Sequence, residues 1–370
     1  MRIFFLLICF ISFSANAQLI TNYNTVDGLL DDFVECVDVD LNNNVWFGTS
    51  IGAQFFDGSV WISYNSYNSD IIDDNIKVIK CASDGSVWFG TDFGLSMFDG
   101  LNWFNYDFSN GLISNQVKSI DEAPDASIWV GTNLGVSHFD GSNWVSYSSP
   151  DLHWSGVNST SFDGNGNTWF SSPLGGCFMY DGLNFINYGT SIGLISQNLT
   201  DLIIDNQDNK WIGTGGGMSV LDASNTDVNN YTIMYTLPPP DTLNPVVDIE
   251  IDSQNNIWVA VYVGYLAVGG VAMWNGVSWS DYDVADGIVG PNIKDLAIDS
   301  DNNIWVATST GVSKIEFSAT NIDDSIVYNE KNKDIFSFKD LLGRSSLVKK
   351  NTFLIRFNKD SSFDKTIVID

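Results

Sequence analysis

The 370-residue chain carries a formal charge of −29, and 44% of its residues are hydrophobic while 16% are charged. This composition provides enough apolar side chains for a large core and argues against disorder of the whole chain. A surface this acidic repels phosphate backbones and anionic lipid heads, so we expect neither nucleic-acid binding nor membrane insertion. The acidity is consistent with simple solubility and also with binding of cations or sugars.

The first 17 residues have the organisation of a secretory signal peptide. Arg2 supplies the positive charge, Ile3 to Phe13 form an apolar run, and Ala15 to Ala17 provide a small-residue cleavage site. The run is too short to span a bilayer. The sequence therefore predicts a soluble mature protein that begins at Gln18, passes through the periplasm and is secreted or displayed on the cell surface.

Residues 18–317 contain a repeat centred on a tryptophan. The motif Asn-Val-Trp-Phe-Gly-Thr at 44–49 recurs in related form every 40 to 47 residues, giving seven copies. A four-stranded unit of this length is typical of a β-propeller blade. The seven central tryptophans are Trp46, Trp88, Trp129, Trp169, Trp211, Trp258 and Trp305.

Each repeat divides into four short strands, a to d. Strand a alternates, as in 34–39, and an Asp/Asn turn leads to strand b, which carries the tryptophan. A Gly-Thr-x-x-Gly turn leads to strand c, and Asp-Gly or Asn-Gly, a strong hairpin signal, leads to strand d with Trp-x-x-Tyr. Aromatic residues on strands b, c and d are expected to fill the wedges between blades.

The seventh repeat lacks strand d, because no Asp-Gly or Trp-x-x-Tyr follows its strand c at 311–317. The segment Leu19 to Tyr23 precedes the first repeat in the way that strand d precedes strand a elsewhere. We therefore predict an all-β, seven-bladed β-propeller of four-stranded antiparallel blades, closed by the N-terminal strand. Closure would remove the open sheet edges that invite aggregation.

The charge balance changes near residue 318. Residues 18–317 hold six lysines and 37 acidic residues, whereas residues 318–370 hold nine basic and eight acidic residues. We therefore predict three parts: a signal peptide at 1–17, the propeller at 18–317 and a small C-terminal β module at 318–370.

Cysteines and catalytic motifs add little to this picture. Cys36, Cys81 and Cys177 remain after cleavage, an odd number without a CxxC, so we expect buried thiols, with a Cys36–Cys81 bridge as the minor alternative.

His138 occupies a strand c position that is typical of the core. We found no H-E-x-x-H, no G-x-S-x-G and no P-loop, and we expect no cofactor. The Asp/Asn turns resemble calcium loops superficially but lack the EF-hand Gly and Glu, so a hairpin turn is favoured.

The residues that do not fit the repeat indicate where a ligand would bind. Twelve of the thirteen tryptophans occupy repeat positions, and the exception, Trp154, lies in the d–a loop between blades three and four. Propellers usually bind ligands where the d–a and b–c loops meet, and exposed aromatic rings are suited to stacking on sugars. The alternative is that Trp154 packs the loop against the ring of blades. The candidate ligand-binding residues are Trp154, His153, Asp151, Tyr262, Tyr265 and Tyr235.

The pattern W-[FIV]-G-T-x-x-G-[VL]-x-x-[FY]-D-G-x-x-W-x-x-Y, followed by G-L, resembles the two-component-regulator propeller repeat. In that family the repeats often form the extracytoplasmic sensor of hybrid histidine kinases, many of which respond to glycans. The resemblance implies a sensor-type propeller, although this chain contains no kinase or DNA-binding segment. The repeat positions are structural, so it implies no ligand residue.

The C-terminal segment has a second resemblance. Ile335 to Arg344, which ends in Asp-Leu-Leu-Gly-Arg, and the apolar segments 351–357 and 365–369 resemble a type IX secretion sorting domain. The usual Asn-Pro near the start is absent, and Asn-Thr-Phe replaces Gly-x-Tyr. The resemblance implies that the type IX secretion machinery is a partner.

Three function classes remain open. The first is an exported, monomeric, non-catalytic module that binds a glycan or surface polymer. The second is a secreted polysaccharide lyase or hydrolase that uses His153 with a nearby tyrosine or carboxylate. The third is a structural surface scaffold.

Overall fold

The computed structural model describes residues 16–238, 241, 243–319 and four short C-terminal segments, 337–339, 345–347, 356–357 and 363–364. Residues 1–15 and most of 318–370 lie outside the described residues, so the predicted signal peptide and sorting module stay predictions. Within the C-terminal segment, Ser337–Lys339 pairs with Ser345–Leu347, and Arg356–Phe357 pairs with Phe363–Asp364, both antiparallel. The compact unit Gln18–Phe317 is described below.

This unit is a seven-bladed propeller, as predicted. Each blade is a four-stranded antiparallel sheet in which consecutive strands are neighbours. Blades one to four comprise β2 (Val34–Val39), β3 (Val45–Thr49), β4 (Gly52–Phe56), β5 (Trp61–Tyr64), β6 (Val78–Cys81), β7 (Val87–Gly90), β8 (Leu95–Phe98), β9 (Trp103–Tyr106), β10 (Val117–Glu122), β11 (Ile128–Thr132), β12 (Gly135–Phe139), β13 (Trp144–Ser148), β14 (Ser159–Phe162), β15 (Thr168–Ser172), β16 (Gly176–Tyr180) and β17 (Phe185–Tyr188).

Blades five and six follow the same order, and a single 3₁₀ turn at Thr190–Ile192 lies before blade five. Their strands are β18 (Leu199–Ile204), β19 (Lys210–Thr214), β20 (Gly217–Leu221), β21 (Val228–Tyr231), β22 (Val246–Ile251), β23 (Ile257–Val263), β24 (Val268–Trp274) and β25 (Trp279–Tyr282). The segment 261–270, which contains the candidate residues Tyr262 and Tyr265, is mostly an extension of the β23–β24 hairpin, because Val261, Tyr262 and Val263 continue the ladder to Val268.

Blade seven confirms the predicted closure. It contains β26 (Ile293–Ile298), β27 (Ile304–Thr308), β28 (Gly311–Ala319) and, on the outside, the N-terminal β1 (Asn16–Tyr23). Ser313 Oγ donates a hydrogen bond of 2.7 Å to Asn22 Oδ1, and Asn22 Nδ2 donates one of 2.9 Å to the carbonyl of Gly287. The first and last parts of the propeller are therefore joined within one sheet.

The core consists of seven apolar clusters, one at each seam between neighbouring blades. At the first seam, Trp46 of β3 lies edge-on to Phe89 of the next blade, with ring centroids 5.5 Å apart. Cys36 and Cys177 are buried, and Cys36, Cys81 and Cys177 are all free thiols, so the Cys36–Cys81 bridge is not formed. His138 stacks on Trp129 at 4.3 Å, which confirms its packing role.

The Asp that begins several a–b turns has a structural function. Asp252 is buried and accepts hydrogen bonds from the backbone N–H of Gln254 and Asn256 and from Nε1 of Trp258, the last at 3.1 Å. Equivalent bonds join Asp163 to Trp169 and Asp205 to Trp211, each at 2.9 Å. These carboxylates fix each turn to the tryptophan at the seam, which confirms the hairpin-turn role.

We expect Asp252→Ala to destabilise the propeller by about 2–4 kcal/mol, because the change leaves the buried Trp258 N–H and turn N–H groups without their charged acceptor. Urea unfolding checks this value. The matched control is Asp227→Ala, since Asp227 is exposed. Equal destabilisation by the two substitutions would contradict the assigned role.

Candidate functional site

Strand register defines one face of the propeller as a loop face. In blade one, the first residue of β2, Val34, pairs with the last residue of β3, Thr49, and the same arrangement occurs at Val117 with Thr132. The loop that enters strand a and the turn that leaves strand b therefore lie at the same end of each blade. We call the surface formed by the d–a loops and b–c turns the loop face, and the surface formed by the a–b and c–d turns the opposite face.

Trp154 is presented to solvent by a loop that is otherwise anchored. Its side chain is 65% exposed, whereas Leu152 and Val157, on either side in the loop, are buried at the seam between blades three and four. A Cβ at Gly156 would lie 2.1 Å from the carbonyl oxygen of Thr132, so only glycine fits there. Trp154 therefore does not fill the core, and the apolar neighbours hold its backbone in place.

His153 is held in one tautomer by its neighbours. Its Nδ1 lies 2.7 Å from Ser155 Oγ and 3.2 Å from the backbone nitrogen of Ser155, and Ser155 Oγ lies 3.0 Å from Ser172 Oγ. Because the backbone N–H can only donate, Nδ1 must be an acceptor, and the proton of the neutral ring resides on Nε2. The His153 ring lies 5.2 Å from Trp154, and Asp151 is exposed in the same loop.

The three predicted tyrosines lie elsewhere, around blades five and six. Tyr265 is 67% exposed at the tip of the β23–β24 hairpin and donates a hydrogen bond of 2.8 Å to Asp241. Tyr262 is half-buried in β23. Tyr235 is buried under blade six, where its ring packs against Gly270, and its hydroxyl donates to Asp283 at 3.1 Å.

The structure therefore does not bring the six predicted residues into one pocket. In the described part of the chain, no hydrogen bond or ring contact joins the Trp154 loop to the three tyrosines. Tyr235 presents no ring face to solvent. Gly270 has no side chain, so the Tyr235 ring packs into the core against its backbone. Trp154, His153 and Asp151 form one patch, and Tyr265 with Asp241 forms a second.

The most exposed aromatic rings lie on the loop face. Among the described residues, five aromatic side chains are more than 60% exposed, and each belongs to a d–a loop or a b–c turn: Tyr67, Phe93, Phe108, Trp154 and Tyr265. The most exposed apolar residues of the opposite face are aliphatic: Leu41, Leu101, Leu183 and Val277. Four of the five rings occur in sequence around blades two to four. This asymmetry makes the loop face the candidate site.

A polar channel, which the sequence analysis did not identify, runs along the propeller axis. The innermost strands of the seven blades enclose a cavity of about 490 Å³, lined by eight carboxylates and four lysines. Several carboxylates join neighbouring blades: Asp38 accepts the N–H of Cys81 at 2.7 Å, Asp295 that of Val37 at 2.8 Å and Asp248 that of Leu296 at 2.9 Å. They satisfy backbone donors on the inner edge of each sheet, which has no further strand to pair with.

The channel walls disfavour the charged form of several of these carboxyl groups. Their side chains are half-buried and surrounded by protein, and this desolvation raises the pKa of Asp121 to about 7, although the nearby Lys80 opposes the shift. Desolvation also raises the pKa of Asp201, Asp248, Glu250 and Asp295. Asp38 in turn raises the pKa of Lys80, which keeps this lysine charged.

These shifts predict that stability falls as the pH rises from about 5 to about 8. A carboxyl group whose pKa is raised in the folded state stabilises the fold below its unfolded pKa, and this contribution is lost as the pH passes the folded value. Melting temperatures across that range check the prediction. Asp121→Asn, which keeps an acceptor oxygen, is expected to reduce the pH dependence, while Asp151→Asn in an exposed loop should not. An unaltered profile in Asp121→Asn would contradict this explanation.

The described residues thus form a closed, seven-bladed propeller with an aromatic loop face and a polar axial channel. Among them, no helix is long and apolar enough to cross a membrane, and no three His, Cys, Asp or Glu side chains are grouped as metal ligands would be.

A family model, the two-component regulator propeller, matches residues 287–310, which include β26 and β27. This match supports the resemblance drawn from the repeat. No curated protein matches the sequence.

Solved structures share the fold at low sequence identity. The extracellular domain of a protein described as a hybrid two-component system from B. thetaiotaomicron is 18% identical with a TM-score of 0.67, and the alignment covers 96% of this chain and 55% of that one. This chain therefore spans about half the length of that domain. Virginiamycin B lyase from Staphylococcus aureus, in a structure with quinupristin, is 13% identical with a TM-score of 0.63, covering 81% of this chain and 99% of the lyase.

Proposed function

We propose that this chain is an exported, non-catalytic propeller that binds a glycan or another surface polymer on its loop face. The observation that carries the proposal is the exposure of Trp154 on a well-anchored loop, within an arc of exposed rings on one face. Binding groups placed on loops above a rigid scaffold are a common arrangement. The similarity to the extracellular domain of a protein described as a hybrid two-component system supports an extracytoplasmic location.

The chemistry of the Trp154 patch suits a sugar. The indole offers a broad apolar surface for the C–H face of a pyranose ring. His153 presents Nε2–H as a donor, and Asp151 adds an exposed acceptor, so one stacked ring would meet both kinds of hydrogen-bonding group. Phe108 and Tyr67 extend the arc of rings along neighbouring d–a loops, which favours an extended polymer over a single small molecule.

A second function, polysaccharide cleavage, is favoured by one observation. The 2.7 Å contact between His153 Nδ1 and Ser155 Oγ is the geometry of a base beside a hydroxyl nucleophile. The contact spans two residues of one loop, however, and Ser155 also contacts Ser172. This network accounts for the shape of the loop without any reaction, so binding is the proposal we favour.

A glycan-array screen of the full chain, with mass spectrometry of any glycan that binds, tests the two functions together. Binding without new products is the expected result. Products that disappear in Ser155→Ala would establish cleavage instead. Failure to bind any glycan or surface polysaccharide would contradict the proposal and leave the scaffold role.

We also propose that residues 318–370 direct export through the type IX secretion machinery. The change in charge balance near residue 318 and the resemblance of the C-terminal segment support this role. A truncation after Phe317 is expected to remain in the periplasm, as measured by cell fractionation, while the full chain reaches the surface or medium. Surface delivery of the truncated chain would contradict the role.

A further inference from the structure

The lysines of the propeller are concentrated at its axis. Residues 18–317 contain six lysines, and four of them line the channel: Lys77, Lys80, Lys118 and Lys294. The same part of the chain holds 37 acidic residues. An even distribution of charge over the propeller would not place most of its lysines in the channel. The channel lysines therefore need an explanation of their own.

Three of these lysines lie at one level, the end of the channel that opens on the loop face. Lys77, Lys118 and Lys294 each precede the tryptophan of their blade by eleven residues, as does Glu35 of blade one. This position follows the first residue of strand a, where Glu35, Lys118 and Lys294 sit at an irregularity in the ladder. Four consecutive blades, seven, one, two and three, thus place charged side chains around the channel entrance.

The charges at this entrance do not balance. Glu35 is shared by two lysines, since its carboxylate lies 3.7 Å from Nζ of Lys77 and 3.7 Å from Nζ of Lys294. Lys118 is exposed and has no carboxylate within 4.0 Å among the described residues. At the equivalent position, blades four, five and six carry the uncharged residues Asn158, Thr200 and Val247. At this one position, three lysines therefore face a single carboxylate on one side of the entrance, and the position is uncharged on the other side. The carboxylates of Asp201, Asp248 and Asp295 follow one residue further along strand a, deeper in the channel.

The size and surroundings of the entrance restrict what enters. A cavity of about 490 Å³ is within the range of small-ligand sites. The acidic outer surface repels a long polyanion lying across it, but beyond about 8–10 Å such repulsion is screened at physiological salt. A short anionic group at the end of a chain can therefore contact the lysines at the entrance without lying along the acidic outer surface or passing the carboxylates deeper in the channel.

We propose that the loop-face entrance of the channel binds the carboxylate of an acidic sugar at the end of a glycan, with Lys118 as its principal partner and Lys77 and Lys294 beside it. This inference rests on the proposed glycan-binding function and names the class of sugar. The uncharged entrance positions of blades four to six accommodate the rest of the ring, while the aromatic arc over blades two to four contacts the sugars that follow.

Two substitutions at the entrance give opposite expected effects. Lys118→Gln is expected to weaken binding of acidic glycans about tenfold, the effect of losing one hydrogen bond to a charged group. Glu35→Gln removes the competitor for Lys77 and Lys294 and is expected to tighten binding several-fold. If these residues had a purely structural role, Glu35→Gln would not increase the affinity for acidic glycans. Lys314→Gln, which removes the same charge from β28, is the matched control.

The probes are uronic-acid oligosaccharides and the same oligosaccharides after reduction of the carboxyl group, measured by calorimetry with the full chain. We expect preference for the acidic form, loss of that preference in Lys118→Gln and no change in Lys314→Gln. Equal affinity for both forms, or a preference that survives Lys118→Gln, would overturn the inference while leaving glycan binding in place. Binding of neither form would overturn it as well, and glycan binding itself would then be decided by the array.

Discussion

A chain that begins at residue 24 is expected to lose its cooperative fold and to aggregate. Without β1, blade seven has three strands, and β28 presents an unpaired edge to solvent. Unpaired edges are sites of intermolecular strand pairing. The loss also exposes the seam between blades seven and one, because Tyr23 packs against that cluster. Size-exclusion chromatography and thermal unfolding of the truncated chain check this expectation.

A single substitution tests the same closure without deleting backbone. Tyr23 contacts Phe56 and Trp61 of blade one and stacks on Trp305 of blade seven, with ring centroids 5.4, 6.0 and 5.8 Å apart. We expect Tyr23→Ala to destabilise the fold by roughly 2–3 kcal/mol, less than the cost of truncating a fully buried aromatic residue, because Tyr23 is only partly buried. Tyr67→Ala, which alters a side chain that is 95% exposed, is the control. A truncated chain that stays monomeric and unfolds cooperatively would contradict the closure.

Trp154→Ala is expected to abolish most ligand binding while leaving stability nearly unchanged. The indole is largely in solvent, so its removal creates no cavity in the core. Central aromatic residues in a binding surface commonly contribute 2 kcal/mol or more, which corresponds to a loss of roughly thirtyfold or more in affinity. A fall in melting temperature of the size expected for Tyr23→Ala would instead show that Trp154 has a packing role.

The fold followed from the sequence because its determinants repeat. One tryptophan per blade lies on strand b, Asp-Gly marks the c–d hairpin, and the incomplete seventh repeat indicated that residues 19–23 would complete it. The strand at 34–39 has the predicted bounds. Regular packing of blade on blade requires similar side chains at similar positions, so the pattern is visible in a single sequence.

The site was predicted less completely, because its residues depart from the repeat. Trp154 was recognisable as the one tryptophan outside the pattern. Tyr235 also lies outside the pattern, yet the structure buries it against Gly270, a contact between segments 35 residues apart that local sequence does not reveal. Exposure in irregular loops depends on such contacts.

The channel was missed because alternation in strand a shows that a residue is polar without showing where it points. Lys118, for example, follows Val117 at the start of β10, and its position at the axis depends on closure of the whole ring. The available signal was the scarcity of lysine: three of the six propeller lysines lie in strand a, and a fourth, Lys77, directly precedes it. Counting rare residues by repeat position would have indicated the axis.

The most direct test of the account measures binding of the strongest array glycan to three proteins by calorimetry: the natural chain, Trp154→Ala and Leu183→Ala. Leu183 is 87% exposed on the opposite face of blade four, so its substitution removes a comparable apolar contact far from the proposed site. We predict that Trp154→Ala loses binding at an unchanged melting temperature, whereas Leu183→Ala binds like the natural chain. Undiminished binding by Trp154→Ala, or equal losses in both variants, would contradict recognition on the loop face.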